Sequence, residues 1–262
     1  MIKQPLVLFD SGVGGTSILK EVRRILPYED CIYLADSKNA PYGERHPEQI
    51  INLSKKNTEL ALSMQAKLVV VACNTATTNA IAWLRQRYDI PFIGIEPAIK
   101  PAALNSKAKC IGVLATKGTL SSKLFKQTSQ NFANGTEIVE VVGKGIVEAV
   151  EGGWTHRQEF LDELKSQIQT FIDQDIDYLV LGCTHFPYII PQLRTLLPKH
   201  IQIIDSGQAV AAQTQSILKH KGMLTTSQVK GNTTIYTNVN NIDLLDSLTK
   251  EIKPEKIQQK VF

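Results

Sequence analysis

Long apolar stretches are missing from this chain of 262 residues. No run approaches the roughly 20 consecutive apolar residues that a membrane-spanning helix needs. The N-terminus leads straight into a strand-like segment, without the apolar core or the cleavage site of a secretory signal peptide. We therefore expect a cytoplasmic protein with no membrane partner.

Cysteine motifs typical of metal sites are also missing. The four cysteines, Cys31, Cys73, Cys110 and Cys183, form no CxxC pair and no cluster with histidine at metal-ligand spacing. In a reducing cytoplasm they are expected to be free thiols rather than disulfides. The sequence therefore predicts no metal site.

Basic residues do not gather into a patch or a tail. The chain has 29 Lys and Arg against 25 Asp and Glu, and the net charge of +4 is spread along its length. Nucleic-acid-binding proteins usually concentrate their basic residues, so no nucleic-acid partner is expected. The mild positive excess is compatible with a small anionic substrate.

Short apolar runs alternate with longer amphipathic segments, which predicts an α/β fold with parallel sheets. The predicted strands are Leu6–Phe9, Cys31–Ala35, Leu68–Ala72, Phe92–Ile95, Cys110–Ala115, Ile138–Val142, Tyr178–Leu181, Ile201–Ile204 and Thr234–Thr237. The predicted helices are Thr16–Leu26, Pro47–Met64, Ala76–Tyr88, Leu120–Phe132, Arg157–Asp173 and Ile189–Leu197. In such sheets, functional residues collect at the carboxyl ends of the strands.

The chain contains an internal repeat. Val70–Thr75 and Val180–His185 each combine an apolar strand, a small residue, a cysteine and two polar residues. Upstream, Val7–Gly12 resembles Val113–Gly118 more weakly, which aligns Asp10 with Thr116. The shared spacing predicts two pseudo-symmetric α/β halves, each presenting one cysteine, with the active site in the cleft between them.

Two interruptions of the pattern suggest the domain boundaries. Proline follows a strand-like run at Glu96-Pro97, and Asp205–Gly207 ends the second half with what is expected to be a helix cap. We predict a first domain of residues 1–96 plus 207–262 and a second of residues 97–206.

Cys73 and Cys183 are the main catalytic candidates. Each follows a buried strand and precedes a predicted helix. Unpaired N–H groups and the positive end of the dipole at a helix start are expected to lower a thiol pKa and favour the thiolate. Cys31 and Cys110, at strand starts, are interpreted as core residues instead.

Other polar residues lie close to these strand ends. His185 could exchange a proton with Cys183 or with a substrate amino group. Asp10 could pair with a substrate ammonium or assist Cys73, although Asp10-Ser11 is also a common helix cap. The Gly12–Gly15 segment has neither Walker A nor GxGxxG spacing, so a phosphate loop is weakly indicated.

Two further segments are candidate binding elements. Asn74, Thr75 and Thr184 offer donors that could hold a substrate carboxylate, or they could serve as plain caps. The turn Ala40–Gly43 contains Tyr42, whose side chain could line a pocket.

Two thiols from opposite halves suit racemisation. Inversion of an α-carbon removes a proton from one face and returns one to the other, which a single base cannot easily do. A thiolate on one side could act as the base while the opposite thiol acts as the acid. The intermediate carbanion would need electrostatic stabilisation from donors around the carboxylate.

Four motifs together resemble the glutamate racemase family, and the resemblance covers essentially the whole chain. They are Asp10–Gly15, Ala40–Gly43, Ala72–Ala76 and Gly182–Pro187, supported by Pro97–Pro101 and Asp205–Gly207. The resemblance implies reversible conversion of L-glutamate to D-glutamate for peptidoglycan, without pyridoxal phosphate and without metal. A homodimer is compatible with it.

The resemblance also implies residue roles. Cys73 and Cys183 would be proton donor and acceptor, with Cys73 acting on D-glutamate. Asp10, His185 and Glu151 would assist them, although Glu148 competes for the role of the acidic helper. Substrate binding would involve Asp10, Ser11, Pro41, Tyr42, Gly43, Asn74, Thr75, Thr184 and His185.

Two alternatives remain open from the residues alone. An aspartate racemase would share the fold and both cysteines and would differ in the length of the pocket. A thiol hydrolase could use Cys183 with His185, but it leaves Cys73 without a role.

Overall fold

A computed structural model describes residues 4–132, 135–240 and 242–262. These residues form two sheets in which every strand pair is parallel. The strands are β1 (Leu6–Asp10), β2 (Cys31–Ala35), β3 (Leu68–Val71), β4 (Phe92–Ile93), β5 (Cys110–Ala115), β6 (Glu137–Val142), β7 (Tyr178–Gly182), β8 (Gln202–Ile204), β9 (Thr233–Thr237) and β10 (Lys256–Gln259). The predicted α/β class with parallel sheets is confirmed.

Helices alternate with these strands. They are α1 (Thr16–Ile25), α2 (Pro47–Ser63), α3 (Asn74–Arg87), α4 (Ile99–Asn105), α5 (Lys117–Leu120), α6 (Lys123–Phe132), α7 (Ile146–Glu151), α8 (Gln158–Asp173), α9 (Ile190–Leu196), α10 (Gly207–His220) and α11 (Asp243–Thr249). Among the described residues, none of these helices combines the length and apolar character needed to cross a membrane.

The order of the strands reveals the duplication. The larger sheet runs β10-β9-β2-β1-β3-β4 and the smaller one β6-β5-β7-β8. The last four strands of the first, β2-β1-β3-β4, therefore repeat the order of the second. Strands β9 and β10, from the C-terminal stretch, extend the larger sheet beyond β2.

The register of the strands aligns the two halves. Leu8 lies opposite Val70, three residues before Cys73, and Val113 lies opposite Val180, three residues before Cys183. Superposing the cysteines therefore equates Leu8 with Val113. By the same offset Ser11 matches Thr116, and Gly14 matches Thr119. The sequence alignment of Asp10 with Thr116 is thus shifted by one residue.

Several elements differ from the sequence prediction. The single helix expected over Leu120–Phe132 is two helices, because the Ser122 hydroxyl accepts the Phe125 amide at 3.2 Å and starts α6 anew. The pattern did not indicate α4, α7, α10, α11 or β10. Three of these helices have only six or seven residues, and β10 has no fully buried residue.

One apolar cluster links the two sheets. Buried Leu8 and Val70 of the larger sheet belong to the same cluster as Leu114 and Leu179 of the smaller one. Tight packing of this kind fixes the relative positions of the strand ends to which the candidate residues are attached.

Candidate active site

Four polar residues follow the central strands of the two sheets. Asp10 ends β1, Cys73 follows β3 after one residue, Thr116 follows β5, and Cys183 follows β7. All four are almost completely buried. The strand ends thus bring both cysteines to one region, as expected for the carboxyl edge of parallel sheets.

Cys73 is the N-cap of α3. Its Sγ accepts the Ala76 amide at 3.4 Å and donates to the Ser11 hydroxyl at 3.8 Å. Burial, followed by the negative charge of Asp10, raises the pKa of the Cys73 thiol well above its usual value, although the Ala76 contact lowers it. The amide at the helix start lowers this pKa as expected, but desolvation outweighs a single amide, so the expectation that the thiolate is favoured is wrong.

Cys183 lies in a different local structure. A 3-10 helix over Phe186–Ile189 follows it before α9 begins. Cys183 was expected to precede an α-helix directly, and it does not. Its Sγ lies 3.8 Å from Nδ1 of His185. Hydrogen bonds link the two cysteines: Sγ of Cys73 contacts the Ser11 hydroxyl, and Asp10 accepts the hydroxyls of Ser11 and of Thr184, the residue after Cys183.

Asp10 lies between the two cysteines. Its Oδ2 accepts the Gly15 amide at 2.8 Å, and its Oδ1 accepts the hydroxyls of Ser11 and Thr184, each at 3.4 Å. Burial raises the pKa of the Asp10 carboxyl, and the nearby His185 partly offsets this. A carboxyl with a raised pKa takes up a proton from a neighbouring acid more readily than an exposed carboxylate does.

His185 forms an ion pair with Glu151. Nε2 of His185 lies 2.6 Å from Oε1 of Glu151, and the imidazole is fully buried. Burial alone would lower the pKa of His185, but hydrogen bonds to Cys183 and Glu151 and the charge of Asp10 raise it well above its usual value. A protonated imidazole here would donate to Glu151 through Nε2 and face Cys183 through Nδ1.

The structure distinguishes the two glutamates considered as acidic helper. Glu151 contacts His185, whereas Glu148, one turn earlier on α7, is exposed. The surrounding sequence could not separate them, because the partner of Glu151 comes from a distant loop.

The glycine segment after β1 fits closely around these groups. A Cβ on Gly12 would overlap Glu151, and a Cβ on Gly14 would overlap the His185 ring. The amide of Val13 donates to Glu151 at 2.6 Å and that of Gly15 to Asp10. These two amides are thus occupied by protein carboxylates rather than open to an anionic ligand.

The predicted binding residues on α3 differ in their contacts. The Thr75 hydroxyl lies 2.8 Å from that of Thr116 and 3.3 Å from that of Thr119. The Asn74 amide donates to the Ile95 carbonyl at 3.4 Å. Within the described part of the chain, Oδ1 of Asn74 is buried without a hydrogen-bond partner. Such an acceptor is costly unless a ligand or water satisfies it.

The Pro41–Gly43 turn closes against the second sheet. The Tyr42 hydroxyl donates to Oδ2 of Asp36 at 2.5 Å, so this side chain is engaged in the protein interior. Gly43 lies against Thr116, where an added Cβ would come within 2.8 Å of the threonine. Pro41 is partly buried. Tyr42 therefore faces Asp36 through its hydroxyl, and Gly43 is the part of the turn that reaches Thr116.

Sequence reasoning missed Thr119 and Ser37, and it named Thr116 only as a repeat partner. The repeat was the available signal for Thr116 and Thr119, since both follow the strand equivalent to β1. Ser37 contacts Glu151 across a long sequence separation, for which one sequence gives no signal.

The remaining sequence predictions concern residues outside this cluster. His46, His156, His200 and His220 are exposed, as expected for solvated side chains. Cys31 and Cys110 are buried free thiols at strand starts. The Asp205–Gly207 cap is supplied by Asp205, whose carboxylate accepts the Gly207 amide at 2.7 Å.

Comparison with known proteins identifies the family. A family model described as Asp/Glu/hydantoin racemase matches residues 15–214. This chain belongs to that family. The predicted enzyme class, a racemase, is thereby confirmed. Named relatives extend the match to nearly the whole chain.

Two curated relatives are named glutamate racemase. The one from Ectopseudomonas mendocina is 39% identical over 259 residues, 98% of each protein. The one from Pseudomonas syringae pv. tomato is 42% identical over 84% of this chain and 80% of that protein.

The fold is shared with solved members of the family. A crystal structure of Escherichia coli glutamate racemase, in complex with L-glutamate and the activator UDP-MurNAc-ala, is 31% identical, with a TM-score of 0.87. The match covers 98% of both chains. The predicted pair of pseudo-symmetric α/β units is therefore confirmed as the family fold.

Proposed function

We propose that this chain interconverts L-glutamate and D-glutamate without a cofactor, using Cys73 and Cys183 as the two bases, and that it supplies D-glutamate for peptidoglycan. One observation carries the proposal. Two buried thiols, one following a central strand of each sheet, are linked through the hydrogen bonds of Asp10 with Ser11 and Thr184, and each has its own acid–base neighbour. Relatives named glutamate racemase support the choice of substrate.

Proton transfer in one direction begins at Cys73. At rest this residue is a thiol, because burial raises its pKa. Asp10 accepts the thiol proton, since its own pKa is raised and a substrate ammonium nearby favours the thiolate. The Cys73 thiolate then removes the α-proton.

The opposite face of the carbanion is protonated from Cys183. The thiol gives its proton to the α-carbon and becomes a thiolate. His185, a cation paired with Glu151, stabilises that thiolate and returns a proton to it. Reversing every step converts the other enantiomer.

Substrate recognition falls to polar groups between the two thiols. The free Oδ1 of Asn74 can accept a substrate ammonium. Hydroxyls of Ser11, Thr75 and Thr184, with the Thr116 and Thr119 hydroxyls beside Thr75, can donate to carboxylates. We assign Pro41, Tyr42 and Gly43 to the same pocket, with Gly43 acting through its backbone.

We also propose a domain division, a cellular location and a set of partners for the protein. The domain division of residues 1–96 plus 207–262 against 97–206 agrees with strands β9 and β10 joining the larger sheet. We place the enzyme in the cytoplasm, without metal or nucleic-acid partner, and consider a homodimer compatible with it.

The decisive experiment uses purified protein in D2O with L-glutamate and no added cofactor. We expect deuterium at the α-carbon and, at equilibrium, equal amounts of both enantiomers, followed by NMR and optical rotation. Aspartate serves as the matched substrate and should react far more slowly. Absence of exchange, or strict dependence on pyridoxal phosphate, would contradict the proposal.

A further inference from the structure

Glu151 connects the two halves of the site. Its Oε1 accepts the Val13 amide and pairs with Nε2 of His185, both at 2.6 Å. Its Oε2 accepts the hydroxyl of Ser37 at 3.0 Å. The carboxylate thus receives three donors, one each from the loops after β1, β2 and β7.

The position of Glu151 makes these donors necessary. Glu151 is the last residue of α7, where the partial negative charge of the helix end disfavours a carboxylate. The terminal torsion of a glutamate side chain is broad and roughly two-fold, so contacts to one oxygen alone do not fix the carboxylate plane. A donor on Oε2 restricts this rotation, and Ser37 is that donor.

Ser37 is itself rigidly held. The amide before it, that of Asp36, donates to the Asp10 carbonyl at 3.1 Å. The amide after it, that of Lys38, donates to the Asn238 side chain at 2.8 Å. Asn238 also binds the Asp36 carboxylate. Because both flanking amides are anchored, the Ser37 hydroxyl is presented to Glu151 in a fixed position.

We propose that Ser37 is a positioning residue that holds the Glu151 carboxylate against His185 and thereby supports the Cys183 half of the reaction. This inference rests on the proposed role of Cys183 and His185 as one acid–base pair. Ser37 lies outside the set of groups that would touch the substrate and acts only through Glu151.

Three variants test the role of Ser37. Ser37→Ala removes the hydroxyl, Ser37→Thr keeps it, and Lys38→Ala is the matched control because Lys38 contributes its backbone amide while its side chain is exposed. We expect kcat for glutamate racemisation to fall about tenfold in Ser37→Ala, since a hydrogen bond to a charged group is lost. Ser37→Thr and Lys38→Ala should stay within about twofold of the original protein.

A second readout is independent of turnover. The His185 ring can be titrated by nitrogen-15 NMR, with its signals identified by their loss in His185→Asn. Glu151, Cys183 and Asp10 are the titratable groups that face this ring. A loosened Glu151 should lower the pKa of His185 in Ser37→Ala but not in Ser37→Thr or Lys38→Ala.

The outcomes separate the inference from the function. If the original protein racemises glutamate but Ser37→Ala matches Lys38→Ala in kcat and in the His185 titration, the positioning role is wrong. It is equally wrong if Ser37→Ala and Ser37→Thr lose activity together. Suppose instead that neither the original protein nor any of the three variants racemises glutamate while the His185 titration still depends on the Ser37 hydroxyl. In that case the positioning role stands and the proposed function fails.

Discussion

The Cys73 side and the Cys183 side occupy equivalent strand ends but are surrounded by different groups. Cys73 caps an α-helix and has a buried carboxyl, Asp10, as its neighbour. Cys183 precedes a 3-10 helix and has a histidine–glutamate pair instead. The two thiols therefore share a position in the fold but not their charged neighbours.

The strand register shows which residues occupy equivalent positions on the two sides. Thr75 and His185 each come two residues after a cysteine, and each contacts the other half. Thr75 meets Thr119, whereas His185 meets Gly14, the residue equivalent to Thr119. The imidazole ring of His185 thus requires glycine, the smallest residue, at the position that faces it. The same contact joins two threonines on one side and a histidine and a glycine on the other.

The largest effect is expected when the two cysteines are replaced one at a time. Cys73→Ser and Cys183→Ser should each lower kcat by about 100-fold or more, because a serine hydroxyl is a far weaker acid and base than a thiol. Measurement of both enantiomers by optical rotation checks this. Cys110→Ser, a buried cysteine outside the site, is the matched control and should stay within about twofold.

Deuterium exchange sharpens the same prediction. The resemblance assigns Cys73 to D-glutamate, so Cys73→Ser should retain slow exchange at the α-carbon of L-glutamate, with retained configuration, and lose exchange of D-glutamate. Cys183→Ser should show the reverse. If Cys73→Ser racemises normally, a mechanism that uses Cys183 and His185 without Cys73 is favoured.

Sequence reasoning reached the scaffold and the thiols because both depend on local patterns. Alternating apolar runs predicted the parallel sheets, and the repeated Cys73 and Cys183 motifs predicted the paired strand ends. The pKa of Cys73 could not be predicted, because its burial depends on packing between distant segments. Ser37 and the choice of Glu151 over Glu148 depend on contacts between residues far apart in sequence.

An intermediate effect concerns the contact between Gly14 and His185. Gly14→Ala should lower the free energy of unfolding by about 1–3 kcal/mol and reduce kcat, since its Cβ would overlap the His185 ring. Gly14 is not among the glycines with positive φ, so the effect is steric. Urea unfolding at neutral pH measures it.

A double-mutant cycle isolates this contact. In Gly14→Ala with His185→Thr, which replaces the ring by the residue type of Thr75, its equivalent in the other half, the stability cost of the alanine should largely disappear. A coupling of about 1 kcal/mol or more is expected between the two sites. Additive losses would mean that the ring and Gly14 do not constrain each other.

The smallest expected effect is a change in the pH dependence of stability. The folded-state pKa of His185 is raised, so its ion pair contributes stability that is complete below the unfolded value near 6.5 and is lost as pH rises through the folded value. Glu151→Gln removes one cause of the raised pKa. Between pH 6 and pH 9, the decrease in its free energy of unfolding should therefore be smaller than that of the original protein. The two decreases should differ by about 1 kcal/mol.

Glu148→Gln is the matched control for that measurement, because Glu148 lies on the same helix but is exposed. The raised pKa of Asp10 also makes stability decline with rising pH, and the charge of Glu151 is the smallest of its causes, so Glu151→Gln weakens this decline in the same direction. Urea unfolding at several pH values would give the two slopes. Equal slopes would show that Glu151 does not hold the charge on His185, and the contrast between a carboxyl-assisted Cys73 and an ion-pair-assisted Cys183 would lose its electrostatic basis.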